Sequence, residues 1–220
     1  MKNDLLCIGL IGANGRLGKA ITALESPGIQ IVASYMSENP PNPEANIDLF
    51  LDVSSKEALE QNIMTALLVK KPIVVGTTGH ADLERLKSAS KTIPVFYSAN
   101  FSLGAALMQP AAKEIARRFH PLSIELIEMH HAEKKDAPSG TALMLAQTIE
   151  NIQSTPVEIR SIRSGSVVGQ HELHFHGAEE SLSLVHVAKS RDAFARGAIM
   201  VARYLAEQCP GFYTMEDLIR

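Results

Sequence analysis

The chain has 220 residues, 45% of them apolar and 20% charged, a composition that excludes an intrinsically disordered protein and allows one domain or two small ones. Lys and Arg total 21 against 24 Asp and Glu, so a net charge of −3 gives no general attraction toward nucleic acid or an anionic membrane. No apolar run of about 18 residues exists to span a membrane, the first residues lack a signal-peptide pattern, and Cys7 and Cys209 are too few for a disulfide framework, so a cytoplasmic protein is expected.

Leu5 to Ile11 is apolar nearly throughout, which predicts a strand buried on both faces, and a glycine-rich turn follows directly. Leu17, Ala20, Ile21 and Leu24 then recur at helical spacing. Ile29 to Tyr35 reads as a second strand, Pro40, Pro41 and Pro43 as a loop, and Ile47 to Val53 as a third strand. Ser54 and Glu57 have the spacing of a capping box for a helix carrying Leu59, Ile63 and Leu67. Pro72 to Gly76 is a fourth strand, Asp82 to Lys91 a short helix and Pro94 to Tyr97 a fifth strand. This alternation predicts an α/β domain with a mostly parallel sheet.

After Asn100 the pattern changes. Leu103, Leu107, Ala111, Ile115 and Phe119 mark a long helix, which Pro110 is expected to kink by removing a backbone donor. Leu122 to Met129, Val157 to Ile162, Glu172 to Phe175 and Leu182 to Ala188 read as strands, with a helix near Thr141 to Ile152, and together they predict a separate α+β domain. Phe194, Ala198, Val201 and Leu205 give a last amphipathic helix able to return to the first domain.

Three turns follow strand ends in the first half, where an open α/β sheet binds its ligands. In Gly12, Ala13, Asn14, Gly15, Arg16, Leu17 and Gly18, glycines let the backbone turn tightly and approach a pyrophosphate at a helix start. The spacing is a variant of the dinucleotide fingerprint, and a P-loop is excluded because Ala13 and Ala20 occupy its required glycine and hydroxyl positions. Gly76, Thr77, Thr78 and Gly79 form the second turn, and Ser98, Ala99, Asn100 and Phe101 the third.

The segment from Glu128 to Thr141 gathers His130, His131, Lys134 and Lys135 ahead of Ser139, a candidate N-cap that would present the Gly140 and Thr141 N–H groups to a carboxylate or phosphate. An imidazole and an ammonium beside an anion site make a proton-donating apparatus. Adjacent histidines in an extended segment point to opposite sides, so no metal pair is expected there. His174 and His176 share one face of a strand near His171; surface or packing roles, contact with an anionic ligand, and metal ligation stay open in that order.

These motifs resemble the dihydrodipicolinate reductase family, also called 4-hydroxy-tetrahydrodipicolinate reductases, of the diaminopimelate route to lysine. The resemblance runs from the glycine turn through G-T-T-G, A-N-F-S, E-x-H-H and D-A-P-S-G-T-A to the closing F-Y-T-M-E-D-L, nearly the whole chain. It implies a Rossmann-like dinucleotide-binding domain over 1–101 with 191–220, and a substrate-binding and oligomerisation domain over 102–190. His130 would be the general acid or base and Lys134 a proton donor, with His131, Gly140 and Thr141 binding a small dicarboxylate substrate. Gly12, Ala13, Asn14, Gly15, Arg16, Leu17, Gly76, Thr77, Thr78, Ser98, Ala99, Asn100 and Phe101 would hold NADH or NADPH. No metal, nucleic-acid or membrane partner is expected from the spacing, charge and hydropathy above, and the resemblance implies a homotetramer. The competing readings are another amino-acid dehydrogenase, such as an aspartate dehydrogenase, and a nucleotide-sensing protein without catalysis.

The chain departs from the family after the second strand. Tyr35, Met36, Ser37 and Glu38 stand where an acidic or basic residue commonly reads the adenosine ribose. Only about a dozen residues then precede the third strand, too few for a comfortable helical crossover, so the sheet is trimmed at one edge. With no dominant charged group there, NADH and NADPH are expected to differ by about tenfold or less in kcat/KM, about 1.4 kcal/mol. Steady-state kinetics with both cofactors check this; a ratio above about a hundred would mean that a charged side chain reads the ribose, as Glu38 or Arg16 substitutions would show.

Overall fold

Side chains that alternate between two apolar layers build the first sheet. The computed structural model describes residues 5–36, 46–77 and 82–220, which pack as two units, one from 1–101 with 192–220 and one from 102–191. The first unit opens with β1 (Leu6–Ile11), α1 (Arg16–Thr22), β2 (Ile29–Tyr35), β3 (Leu49–Asp52), α2 (Lys56–Val69), β4 (Ile73–Val75), α3 (Leu83–Ala89) and β5 (Pro94–Tyr97). The second unit holds α4 (Leu103–Arg118), β6 (Ser123–His130), α5 (Gly140–Glu150), β7 (Val157–Arg163), β8 (Gly169–His176) and β9 (Ser181–Ala188). The chain then returns to the first unit with α6 (Asp192–Ala206), β10 (Gly211–Tyr213) and α7 (Met215–Leu218).

In the first unit the strands run parallel in the order β10-β5-β4-β3-β1-β2. Leu49, Leu51, Val74 and Phe96 face one layer with α1 and α6, whereas Phe50, Ile73, Val75 and Val95 face the other with α2 and α3. This two-residue alternation on continuously apolar strands is the signature of a sheet covered on both faces. The trimmed edge expected from the short β2 to β3 connection is β2, which pairs only with β1 among the described residues.

The capping box expected at Ser54 and Glu57 does not form. Helix α2 starts one residue later, with Ser55 at its N-cap, and the Ser54 hydroxyl instead donates to Asp52 at 2.5 Å. Asp52 is fully buried at the end of β3, and its other carboxylate oxygen accepts from the Asn62 amide at 2.8 Å. A buried carboxylate requires donors more than a helix start requires a cap, and the serine is spent on the carboxylate. Burial nevertheless pushes the Asp52 carboxyl up, against the hydrogen bonds from Ser54 and Asn62.

The second unit has a mixed sheet in the order β7-β6-β8-β9, with β6 parallel to β7 and antiparallel to β8. Met108, Ala112 and Ala116 of α4 and Leu145, Ala146 and Ile149 of α5 pack on Ile124, Leu126, Leu173 and Phe175, so one sheet face is covered by two helices. Helix α4 runs without interruption through Pro110, and Phe119 lies at its C-cap outside the helix. Strand β10 and helix α7 are additions that the periodicity does not announce.

Asn62→Ala is expected to destabilise the chain by about 2 kcal/mol, the size of a lost hydrogen bond to a buried charged group, and so to lower Tm by roughly 4–8 °C for a chain of this length. Thermal unfolding of the two proteins measures it.

Candidate functional site

The glycine turn between β1 and α1 is built by close backbone approach. Gly12 has φ +86°, and a Cβ there would meet the Ser54 backbone at 2.8 Å. A Cβ on Gly18 would lie 2.2 Å from the Gly12 carbonyl oxygen, so that carbonyl and the first turn of α1 touch only because both residues lack side chains. Gly15 donates to the Gly12 carbonyl at 3.0 Å and is the N-cap of α1, with no side chain capping the helix. A cavity of about 580 Å³ opens here, lined among others by Asn14, Gly15, Met36, Ser54, Glu57 and Gln61, a volume in the range of small-molecule sites. A turn that any Cβ would fill, beside such a cavity, fits a dinucleotide.

The other two turns stand at the ends of β4 and β5, in the same unit. The Ser98 hydroxyl donates to the Asn100 carbonyl at 2.7 Å, closing a small loop. Ala13 and Leu17 pack partly against the core, Arg16 is exposed at the start of α1 and Ala99 is exposed. The Phe101 ring is 2% exposed and belongs to the core; a Cβ on Gly76 would strike it at 2.3 Å. Phe101 therefore has only its backbone to offer a ligand. Thr77 is buried, and Thr78, Gly79, Ser37 and Glu38 lie outside the described residues.

In the second unit the titratable groups converge on the helix-covered face of the sheet. Glu128 on β6 pairs directly with His171 on β8, and His171 with His186 on β9, while His130 stands two residues beyond Glu128 on the same face. Glu128 is fully buried; one oxygen accepts from Arg163 at 2.7 Å, and the other meets His130 Nδ1 at 2.5 Å. Burial alone would raise the Glu128 carboxyl, yet hydrogen bonds from Arg163, Ser161 and His130 outweigh it and hold the group below the usual carboxylate range. Burial also pulls the His130 imidazole below its usual value, opposed by the Glu128 carboxylate and reinforced by the charges of Lys134 and Arg163. Lys134, in the loop after β6, pairs with Asp136 at 2.8 Å and holds that carboxyl low. Ser139 is the N-cap of α5, its hydroxyl accepting from the Ala142 N–H at 3.3 Å. A Cβ on Gly140, the next residue, would enter open space.

A family model described as dihydrodipicolinate reductase, N-terminus, matches residues 6–101, and one described as dihydrodipicolinate reductase, C-terminus, matches 104–219. The chain belongs to the dihydrodipicolinate reductase family. It is 39% identical to a 4-hydroxy-tetrahydrodipicolinate reductase of Zymomonas mobilis, with 99% of this chain and 98% of that protein covered. A 4-hydroxy-tetrahydrodipicolinate reductase of Caldanaerobacter subterraneus is 36% identical, with 95% of this chain and 96% of the relative covered. Among solved structures, a dipicolinate-bound dihydrodipicolinate reductase from Paenisporosarcina matches with a TM-score of 0.80 over 98% of this chain and 100% of that one; at 24% identity this likeness shows the fold.

Within this family member, the histidine-lysine segment divides by position. His130 and Lys134 join the Glu128 cluster, whereas His131 lies in the following loop, half-buried. The histidines of β8 divide by face. His171 points in toward His130, with ring centroids 5.2 Å apart, whereas His174 and His176 point to the opposite face and meet Ser183 at 2.9 Å and Ser181 at 3.2 Å. Motif reading passed over Glu128 and Arg163 as site residues and grouped His171 with His174 and His176, although the odd spacing from His171 to the other two already separates the faces. Donor atoms of Glu128, His130 and His171 lie within 4.8 Å of one another, near enough to share a cation. Arg163 already donates to one Glu128 oxygen and sets a positive charge against a second cation.

Burial, reinforced by the charge of His130, pulls His171 from 6.5 down to about 4. Its folded value lies below its unfolded one, so the unfolded chain binds the proton first, and stability is full above pH 6.5 and lost as the pH falls toward 4. The loss from this residue alone is on the order of 2 kcal/mol at pH 5. Denaturant unfolding at pH 7 and pH 5 should show it, with a smaller difference in His171→Gln, whose side chain does not titrate.

Proposed function

We propose that the protein is the NADH- or NADPH-dependent reductase that converts 4-hydroxy-tetrahydrodipicolinate to tetrahydrodipicolinate, with His130 and Lys134 in charge of the proton. The observation that carries this reading is the buried Glu128–His130 pair standing beside Lys134 and the serine-capped start of α5. The first unit is the dinucleotide-binding domain, with Gly12, Ala13, Asn14, Gly15, Arg16 and Leu17 around the pyrophosphate and Gly76, Thr77, Thr78, Ser98, Ala99, Asn100 and Phe101 completing the cofactor's surroundings. The second unit binds the dicarboxylate, with His131 and the N–H groups of Gly140 and Thr141 meeting carboxylate oxygens.

When bound, the reduced nicotinamide supplies a hydride. In the net reaction the substrate takes up that hydride and one proton and releases its 4-hydroxyl as water. Glu128 keeps the His130 proton on Nδ1, which leaves Nε2 as the atom that exchanges a proton with the substrate. Because burial lowers the affinity of His130 for a second proton, the ring gives up a proton readily once it has taken one. The Lys134 ammonium, steadied by Asp136, supplies the other cation near the developing charge. We further propose a cytoplasmic homotetramer. In support of assembly, Ile162, Val185 and Val187 are each more than a third exposed on strands of the second unit.

His130→Ala and Lys134→Ala are each expected to lower turnover by about 100-fold or more, the size of a lost proton transfer, while cofactor affinity stays unchanged. Nicotinamide absorbance with freshly made substrate measures the first and cofactor titration the second. Unchanged turnover in both variants would remove these residues from the mechanism, and no substrate-dependent oxidation by the native protein would end the reductase reading.

A further inference from the structure

His171 carries no part of the mechanism above, yet it is 3% exposed in the middle of the cluster. Its Nε2 lies 3.2 Å from the Ser139 hydroxyl, and its Nδ1 is buried with no hydrogen-bond partner among the described residues. Two tautomers are available. If the serine hydroxyl donated to Nε2, the ring proton would sit on Nδ1 as a buried donor with no acceptor. If Nε2–H donates to the serine, Nδ1 is left as an unmet lone pair, the less costly of the two defects. The second arrangement places two donors on one oxygen, since Ser139 Oγ also accepts from the Ala142 N–H at 3.3 Å. Both lone pairs are then taken and the hydroxyl proton can only be given away.

We propose that His171 is a positioning residue for the dicarboxylate: by donating to Ser139 it turns that hydroxyl into an obligate donor at the start of α5, beside the Gly140 and Thr141 N–H groups. The inference rests on the reductase reading, which places a carboxylate at this helix start. The unit uses the same device a second time. His186 Nε2 lies 3.1 Å from the Ser102 hydroxyl at the N-cap of α4, which accepts from the Ala105 N–H at 3.3 Å, and His186 Nδ1 is likewise buried without a partner among the described residues. The His171 and His186 rings stack at 6.4 Å and 22°. Two imidazoles thus tie two helix starts to one sheet, but only the His171 ring also meets His130, edge-on at 5.2 Å. Glu128, His130, His186 and Lys134 are the ionisable groups whose charges bear on His171. With its affinity for protons pulled down to about 4, it stays neutral and keeps one donor at neutral pH.

The test is the affinity for dipicolinate, measured by calorimetry, together with KM and kcat for the substrate. His171→Leu is expected to weaken dipicolinate binding and raise KM by about 10- to 100-fold, the value of a hydrogen bond to a charged group, with a much smaller change in kcat. His171→Gln, whose amide N–H can take over the donation, is expected to stay within about threefold of the native protein. In a Ser139→Ala background His171→Leu should add no further loss, because its effect passes through the serine. His186→Leu reports loss of the same kind of helix anchor away from His130 and should leave dipicolinate affinity unchanged. Native-like dipicolinate binding by His171→Leu, or equal losses in the Leu and Gln variants, would overturn the proposal while leaving the reductase reading standing. If His171→Leu does not fold, the Gln variant and the serine background decide it: a large loss in Gln with Ser139 present, or any further loss with Ser139 absent, overturns it. A native protein that neither binds dipicolinate nor turns over substrate would bring down the reductase reading and this inference together.

Discussion

A carboxylate with no access to water organises the second unit. Glu128 is tolerable at full burial because Arg163, Ser161 and His130 hydrogen-bond to it, and a buried anion stripped of a charged or imidazole partner becomes a strongly destabilising charge. Strand register makes this possible: β6 lies between β7 and β8, so that Glu128 has Ser161 on one side and His171 on the other, and His130 is level with Arg163. The backbone thereby fixes where an imidazole can stand and which of its nitrogens bears the proton. The chemistry proposed for His130 is downstream of that placement.

The first unit solves a similar problem with neutral donors. Asp52 ends β3 fully buried, and its donors are the Ser54 hydroxyl, the Ser54 backbone N–H and the Asn62 amide, with no cation among these donors. The outcome differs accordingly: burial wins and the Asp52 carboxyl is raised, whereas at Glu128 the donors win and the carboxyl is lowered. Asp52 holds in place Ser54 and Asn62, both of which line the cavity beside the glycine turn. In each unit, a buried carboxylate sets the geometry of residues that line a candidate ligand site.

Much of this was legible in the sequence because the signals were local. Apolar runs bounded by Gly and Pro located β1 through β5, and the Leu17, Ala20, Ile21 stripe located α1, since strand and helix periods are written in consecutive residues. Ser139 was readable as an N-cap for the same reason. Glu128 and Arg163 were not readable as partners: 35 positions separate them, and only the parallel pairing of β6 with β7 brings them together. Ser54 was misread because its local spacing to Glu57 is right for a cap, and the competing demand comes from the burial of Asp52, a tertiary fact. Strand β10 has three residues, too few to show a period, and it exists because β5 offers it an edge.

The path of the chain through its two units bears on how the protein is made. The second unit is one uninterrupted stretch, residues 102–191, while the first is assembled from both ends of the chain. Ala195, Ala198, Val201 and Leu205 of α6 belong to the same apolar layer as Leu49, Leu51 and Phe96, so on a ribosome one face of the early strands waits for residues synthesised about a hundred positions later. At about 5–20 residues per second that interval lasts several seconds or more. The inserted unit has all of its sequence first and can be complete while the earlier half is still open. The order in which the two units mature is thus the reverse of the order in which they begin.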